Sequence, residues 1–189
     1  MFLATRPSEE KIRRLIAAQR DSPFSYEEVG ASRGQFPAGY AVQGADADLG
    51  QGEACFVRAR AAVSQWKMFE TPKLWLHYPA TPIEAGNVVA VLARHLGFWS
   101  LNFCRIVYVI DEDGAVRRFG FAYGTLREHA ERGEEQFVVE WDRNSDRVSY
   151  CIASFSRPAG VVILGAPVAR WLQKRFLRDS VEAMRRATA

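Results

Sequence analysis

From Phe103 to the C-terminus the chain reads as consecutive β-strands closed by one long amphipathic helix, and that order leaves few folds open. Phe103 to Asp111 (FCRIVYVID) is the strongest strand signal, dense in β-branched and aromatic residues. Asp113-Gly114 marks a turn, and Arg117 to Leu126 follows as the hairpin partner. Glu135 to Trp141 and Arg147 to Phe155 form a second hairpin through the polar run Asp142 to Asp146. Pro167 suits the first position of the closing helix. Val168, Leu172 and Phe176, with Trp171 a turn further off, make its expected buried stripe, while Arg170, Lys174, Arg178, Arg185 and Arg186 lie mostly elsewhere on its surface. Burying a Leu, Val or Phe is worth about 1.5–3 kcal/mol, so this helix is expected to lie on the sheet.

Upstream, Ser8 can cap a first helix whose opening turn holds Glu9 and Glu10 and whose apolar stripe is Ile12, Leu15 and Ile16. That helix ends near Asp21, before Ser22-Pro23. Residues 24–52 are rich in glycine; Phe24 to Val29 suggests a short strand, and the remainder a long ordered surface connection. Glu53 to Trp66 repeats apolar residues at helical spacing. Lys73 to Tyr78 and Asn87 to Leu96 add two more strands. Hairpins succeed one another without βαβ alternation, so the class is α+β: a curved antiparallel sheet gripping a long C-terminal helix. A chain of 189 residues fits a single domain over residues 1–189, with 1–22 as an N-terminal helical extension.

Composition narrows the function classes. A net charge of +3 is too mild to argue for nucleic acid, and none is expected as a partner. The longest apolar run, near Ala159 to Val168, falls well short of the roughly 20 residues of a membrane span. The N-terminus lacks the basic and apolar blocks of a signal peptide, so a soluble, cytoplasmic protein is expected. Cys55, Cys104 and Cys151 have neither disulfide nor metal-ligand spacing and read as buried thiols. His77, His95 and His129 show no zinc spacing, and His129, in a charged turn, reads as solvated surface. Asp46, Asp48, Gly50 and Glu53 fail the spacing of a calcium loop, and the glycines match no phosphate or dinucleotide fingerprint. No metal and no cofactor is expected.

Two features carry chemistry. Gly120, Ala122 and Gly124 share one face of a strand. Either they leave room for a ligand under the helix, or the helix backbone or a bulky neighbour such as Trp171 fills the space. The second feature is a polar cluster: Tyr108, Tyr123, Glu134, Glu135, Ser156, Arg157, Arg170 and Gln173. Arg157 and Arg170 suit a paired clamp on a carboxylate or phosphate, and Tyr with Glu suits acid–base work. The same residues also suit a structural network that satisfies strand ends and the helix start. Cys104 adjoins Arg105, but strand neighbours point to opposite faces, which argues against an activated thiol.

These residues also carry a resemblance. Cys104 to Val109, Gly120 to Leu126, His129, Gly133 to Phe137 and Ser154 to Pro158 resemble the domain-of-unknown-function family nineteen-ninety, as do Pro167, Arg170, Gln173 and Phe176. Upstream, Tyr26 to Gly30, Pro37 to Tyr40, Leu49 to Gly52 and Trp66 to Phe69 fit as well, so the resemblance runs from about residue 24 onward. The family name carries no activity. Its order of elements is similar to the START-like, helix-grip (SRPBCC, polyketide-cyclase-like) layout, which implies a cavity between sheet and C-terminal helix. Three functions follow as expectations. The first is a cavity binding a small apolar or amphipathic ligand, with Tyr108, Gly120, Ala122, Tyr123, Gly124, Glu135, Ser156, Arg157, Arg170 and Gln173 as candidate contacts. The second is an enzyme in the same cavity, which requires Arg157, Tyr123 and Glu135 to converge. The third is a protein-interaction module presenting Trp66, Phe69, Trp75, Phe98 and Trp99 as an exposed apolar patch.

Overall fold

The computed structural model describes residues 1–72, 74–77, 81–94, 97–159 and 166–189, the side chains of residues 74, 75, 77 and 166–170 excepted. In chain order the elements are β1 (Phe2–Leu3), α1 (Glu9–Ala18), β2 (Ala41–Gln51), α2 (Gly52–Ser64), β3 (Leu74–His77), β4 (Val88–Arg94), β5 (Trp99–Glu112), β6 (Val116–Thr125), β7 (Glu131–Asp142), β8 (Arg147–Pro158) and α3 (Ala166–Thr188). The strands form one antiparallel sheet in the order β2-β8-β7-β6-β5-β4-β3, with β1 paired to β5. The fold is α+β, a curved half-barrel gripping its C-terminal helix, as the order of sequence signals implies.

The inner face holds the larger core. Phe121, Phe137, Tyr150 and Ile152 meet Phe56 and Val63 of α2 and Leu177, Val181 and Met184 of α3. Phe121 and Phe137 stack at 5.2 Å, and Trp66 meets Phe121 edge-on at 4.7 Å. Trp66 turns the chain out of α2 with a left-handed φ of 58°, and its indole N–H donates to the Thr81 carbonyl at 2.9 Å. A separate core lies on the outer face, where Ile12 of α1 packs with Ala90, Leu92, Leu101, Phe103 and Leu126. Two devices fix the ends of α1. Ser8 Oγ accepts from the Lys11 N–H at 3.2 Å, and the Arg105 guanidinium donates to the Gln19 and Arg20 carbonyls at 2.9 and 2.5 Å. Arg105 is thereby turned away from the buried Cys104.

Several expectations are corrected. Residues 41–51 are not connection but an eleven-residue edge strand, paired to β8 with a bulge between Asp48 and Gly50. Phe24 to Val29 gives only an isolated bridge, Phe24 to Leu126. β5 begins at Trp99 and β7 at Glu131, both earlier than their apolar signals. Among the described side chains of α3 the buried residues are Leu177, Ser180, Val181, Ala183, Met184 and Thr188, mostly beyond the expected stripe, of which Phe176 still packs partly buried against the core, and Trp171 is 53% exposed. Trp171 therefore fills nothing under the sheet; its ring carries the Arg175 guanidinium at 5.8 Å. The expectations placed on Lys73, Tyr78, His95 and Leu96, and on the side chains of Trp75, His77, Pro167, Val168 and Arg170, lie outside the described residues. Trp66 and Phe69 are core residues at 1% and 4% exposure, so they contribute nothing to an exposed aromatic patch.

Candidate functional site

β7 sorts the candidate residues. Successive side chains on a strand alternate between faces. Glu131, Gly133, Glu135 and Phe137 therefore turn inward, and Arg132, Glu134 and Gln136 outward. The polar cluster read from the sequence is divided between the two sides of the sheet.

On the inner side, β2, β4 to β8 and α3 line an open-mouthed hollow of about 580 Å³. Phe69, Val91, Leu172 and Phe176 supply apolar wall, and Phe2 and Phe98 meet edge-on at 5.7 Å beside it. Deep within it the Tyr123 hydroxyl donates to Glu135 Oε2 at 2.8 Å. Burial pushes the Glu135 carboxyl up to about 7, since desolvation of the anion outweighs the opposing hydrogen bond from Tyr123. No guanidinium or ammonium pairs with Glu135 among the described residues. A second polar group ties α3 to the sheet. Gln173 Nε2 donates to Glu131 and to Ser156 Oγ, the latter at 3.0 Å, and Gln43 Nε2 donates to Gln173 Oε1. Burial raises the Glu131 carboxyl as well. Gln43 Oε1 is buried and accepts no hydrogen bond among the described residues.

His129 also lines the hollow and is not the solvated side chain expected from its charged turn. Its Nδ1 accepts from the Glu131 N–H at 3.0 Å. Burial, and then the positive charge of the Met1 amine, push its imidazole down to about 3.

On the outer side, Glu134 is the hub. Its carboxylate accepts from the Tyr26 hydroxyl at 2.6 Å, the Gly30 N–H at 2.8 Å, the Ser32 N–H at 3.0 Å and the Ser32 hydroxyl. Ser32 bonds Tyr108 at 2.6 Å, and Gln136 donates to Tyr108 at 3.1 Å. Tyr108 thus belongs to the network that holds residues 24–40 against the sheet, not to the hollow. The small-residue face is also outside, because Phe119, Phe121 and Tyr123 take the inner positions of β6. At Gly120 a Cβ would lie 2.1 Å from the Phe137 carbonyl oxygen, and at Gly124 it would lie 2.2 Å from the Tyr26 hydroxyl and 3.0 Å from the Phe24 ring. Backbone and aromatic neighbours fill that face, and neither Gly120, Ala122 nor Gly124 makes room under α3.

Of the expected contacts, Tyr123, Glu135, Ser156 and Gln173 are brought together at the hollow, while Tyr108, Gly120, Ala122, Gly124 and Arg157 lie on the far face. Arg157, Tyr123 and Glu135 do not converge: Arg157 sits over the Tyr40 ring at 4.6 Å. Arg170 has no described side chain, so the Arg157–Arg170 clamp has no geometry. Glu131, Gln43 and His129 were missed. The spacing Glu131-x-Gly133-x-Glu135-x-Phe137 was the available signal, since it continues one face of β7 back into what looked like a turn. Asp46 and Asp48 are engaged by Arg147 at 2.8 and 3.2 Å. Among the described residues no group of three or more His, Cys, Asp or Glu is placed to hold a metal ion.

A curved antiparallel sheet whose inner face grips a C-terminal helix defines the START-like, Bet v1-like class of α+β proteins. Within it, this chain belongs to the family described as Domain of unknown function (DUF1990), which matches residues 25–183. It is similar to a UPF0548 protein of Dictyostelium discoideum, 37% identical over 207 aligned positions covering 99% of this chain and 95% of that protein. Among solved structures it is similar to the hypothetical protein jhp0584 from Helicobacter pylori, with a TM-score of 0.52, 9% identity and coverage of 88% of this chain and 96% of that one. Ara h 8.0201 matches with a TM-score of 0.51 and 12% identity over 79% of this chain and 98% of its own. At such identities the likeness is one of fold, and fold does not fix function. No helix among the described residues is long and apolar enough to cross a membrane.

Proposed function

We propose that this protein binds a small amphipathic molecule in the hollow between the inner face of the sheet and α3. The observation that carries the reading is the Tyr123–Glu135 pair facing a largely apolar space where, among the described residues, no cationic side chain pairs with the carboxyl, although Arg94 and Arg175 also line the hollow. A partly buried carboxyl pushed up by desolvation is the kind of group that gathers at binding and catalytic sites. About 580 Å³ falls within the ordinary range of small-molecule sites. The ligand's apolar body would lie against Phe69, Leu172 and Phe176, and its polar end would donate to Glu135. The reading takes residues 1–189 as one domain, in a reducing, cytoplasmic setting that suits its free thiols.

The test is titration with the neutral fluorophore N-phenyl-1-naphthylamine. We expect saturable one-to-one binding with a rise in emission, abolished by Ser154→Phe, which fills the floor of the hollow. Absence of saturable binding, or binding indifferent to Ser154→Phe, would falsify the reading. A second reading, acid–base catalysis in the same space, is favoured by the position of Glu135 near 7, where a carboxyl can both give and take a proton. Under it, Glu135→Gln would leave fluorophore binding within a few-fold and abolish turnover of any compound the wild type converts.

A further inference from the structure

The outer face carries a second, oppositely charged pocket that the proposed ligand site does not use. Beside residues 24–27, a space of about 460 Å³ is lined by Phe24, Ser25, Tyr26, Glu27, Arg127, Arg132 and Arg157. Three guanidiniums there face one carboxylate, that of Glu27. Arg132 and Arg157 stand directly opposite one another in the β7–β8 ladder. Like charges in that position repel, and sheets normally place opposite charges there. Neither residue, nor Arg127, has an ion pair among the described residues. Arg157 instead lies over the Tyr40 ring, whose hydroxyl donates to Glu28. The Glu28 carboxylate senses Arg157 only weakly, after its own hydrogen bonds.

We infer that Arg127, Arg132 and Arg157 form a binding site for a phosphomonoester dianion on the outer face of the sheet. Three positive charges less that of Glu27 leave the +2 that such a dianion neutralises. Two guanidinium forks side by side on adjacent strands present paired N–H groups to phosphate oxygens, the geometry arginine supplies better than lysine. The Arg157 fork is oriented by the ring beneath it, so less freedom is lost on binding. The glutamate hub at Glu134 fixes the Tyr26 wall from behind and accepts from Tyr26, Gly30 and Ser32 rather than from any of these three guanidiniums.

The experiment is calorimetric titration of the full chain with phenyl phosphate at low ionic strength, alongside sedimentation with phosphatidylcholine vesicles doped with phosphatidic acid. The two arms distinguish a soluble phosphomonoester from a lipid headgroup, and binding in either supports the site. Arg132→Gln and Arg157→Gln are each expected to weaken that binding on the order of tenfold or more. Arg132→Lys, which keeps the charge and loses the fork, should fall between. Arg143→Gln, at a surface pair with Asp113, should change nothing. No binding in either arm, or binding that survives the two glutamine variants, would overturn the assignment.

Discussion

At the residue scale, Glu135 and His129 sit at one hollow and respond to burial with opposite signs. Glu135 holds its proton in the folded state up to about 7 but releases it near 4.5 when unfolded, so its contribution to stability is lost as pH rises between those values. His129 stays neutral in the folded state down to about 3 but takes a proton near 6.5 when unfolded, so its contribution is lost as pH falls from 6.5. The two slopes oppose each other between 4.5 and 6.5. The Glu135 and His129 contributions to the wild-type urea midpoint should therefore largely cancel across that interval, with the raised Glu131 carboxyl adding to the fall as pH rises. Relative to wild type, Glu135→Gln should tilt the profile toward a rise with pH, and His129→Gln toward a fall. A variant profile parallel to wild type would show that the group does not titrate as its surroundings imply.

At the scale of elements, the decisive contact is between β7 and residues 24–40. This segment has little regular structure: a bridge at Phe24 and a short 3-10 turn at Ala31–Arg33. Glu134 satisfies the Gly30 and Ser32 amides at the start of that turn and the Tyr26 hydroxyl besides. Replacing it with alanine leaves those buried donors without an acceptor, each worth about 1–3 kcal/mol. Glu134→Ala should destabilise the protein by about 3 kcal/mol or more and speed amide exchange at Gly30 and Ser32, measured by urea denaturation and hydrogen exchange. Retained exchange protection there would contradict the role given to Glu134. These dependencies explain what the sequence could and could not say. The hairpins of β5 to β8 were legible because Val, Ile, Phe and Tyr declare a strand by themselves. β2 was hidden because Gly44, Gly50 and two aspartates carry no strand signal; β8 imposes the pairing on them. The facing of Gly120 and Gly124 depends on which side of β6 the helix covers, and no local pattern encodes that. Tyr123 with Glu135 was recoverable as a pair, since both lie on inner positions, whereas Arg157 follows Ser156 by one residue and turns to the other side.

At the scale of the whole molecule, one sheet separates two cores and two kinds of chemistry. Ile12 and its neighbours form the outer core, and Ile152 belongs to the inner one. They share no partners across the sheet, so changes to them should be independent. Ile12→Val and Ile152→Val are each expected to cost about 0.5–1.5 kcal/mol. The double variant should equal their sum within about 0.5 kcal/mol, read from denaturant midpoints. A larger deviation would mean that the two cores are coupled through the sheet. The same separation puts the Glu131 and Glu135 carboxyls at the inner hollow and Arg127, Arg132 and Arg157 at the outer pocket, so the two proposed ligands, an amphipathic donor and an anion, would not compete for one surface.

Glu134 and Glu135 are covalent neighbours with a β-sheet between their carboxyl groups, which makes β7 intolerant of any change in length. Removing one residue ahead of them would rotate the strand by one step and exchange the two. The hub acid would enter the hollow, the titrating acid would be pressed against Tyr26, and Arg132 would point inward. Substitution in this strand is graded by what each side chain touches. Insertion or deletion is not graded at all, and the room for a family of such chains to vary in length lies in turns such as 113–115 and 143–146.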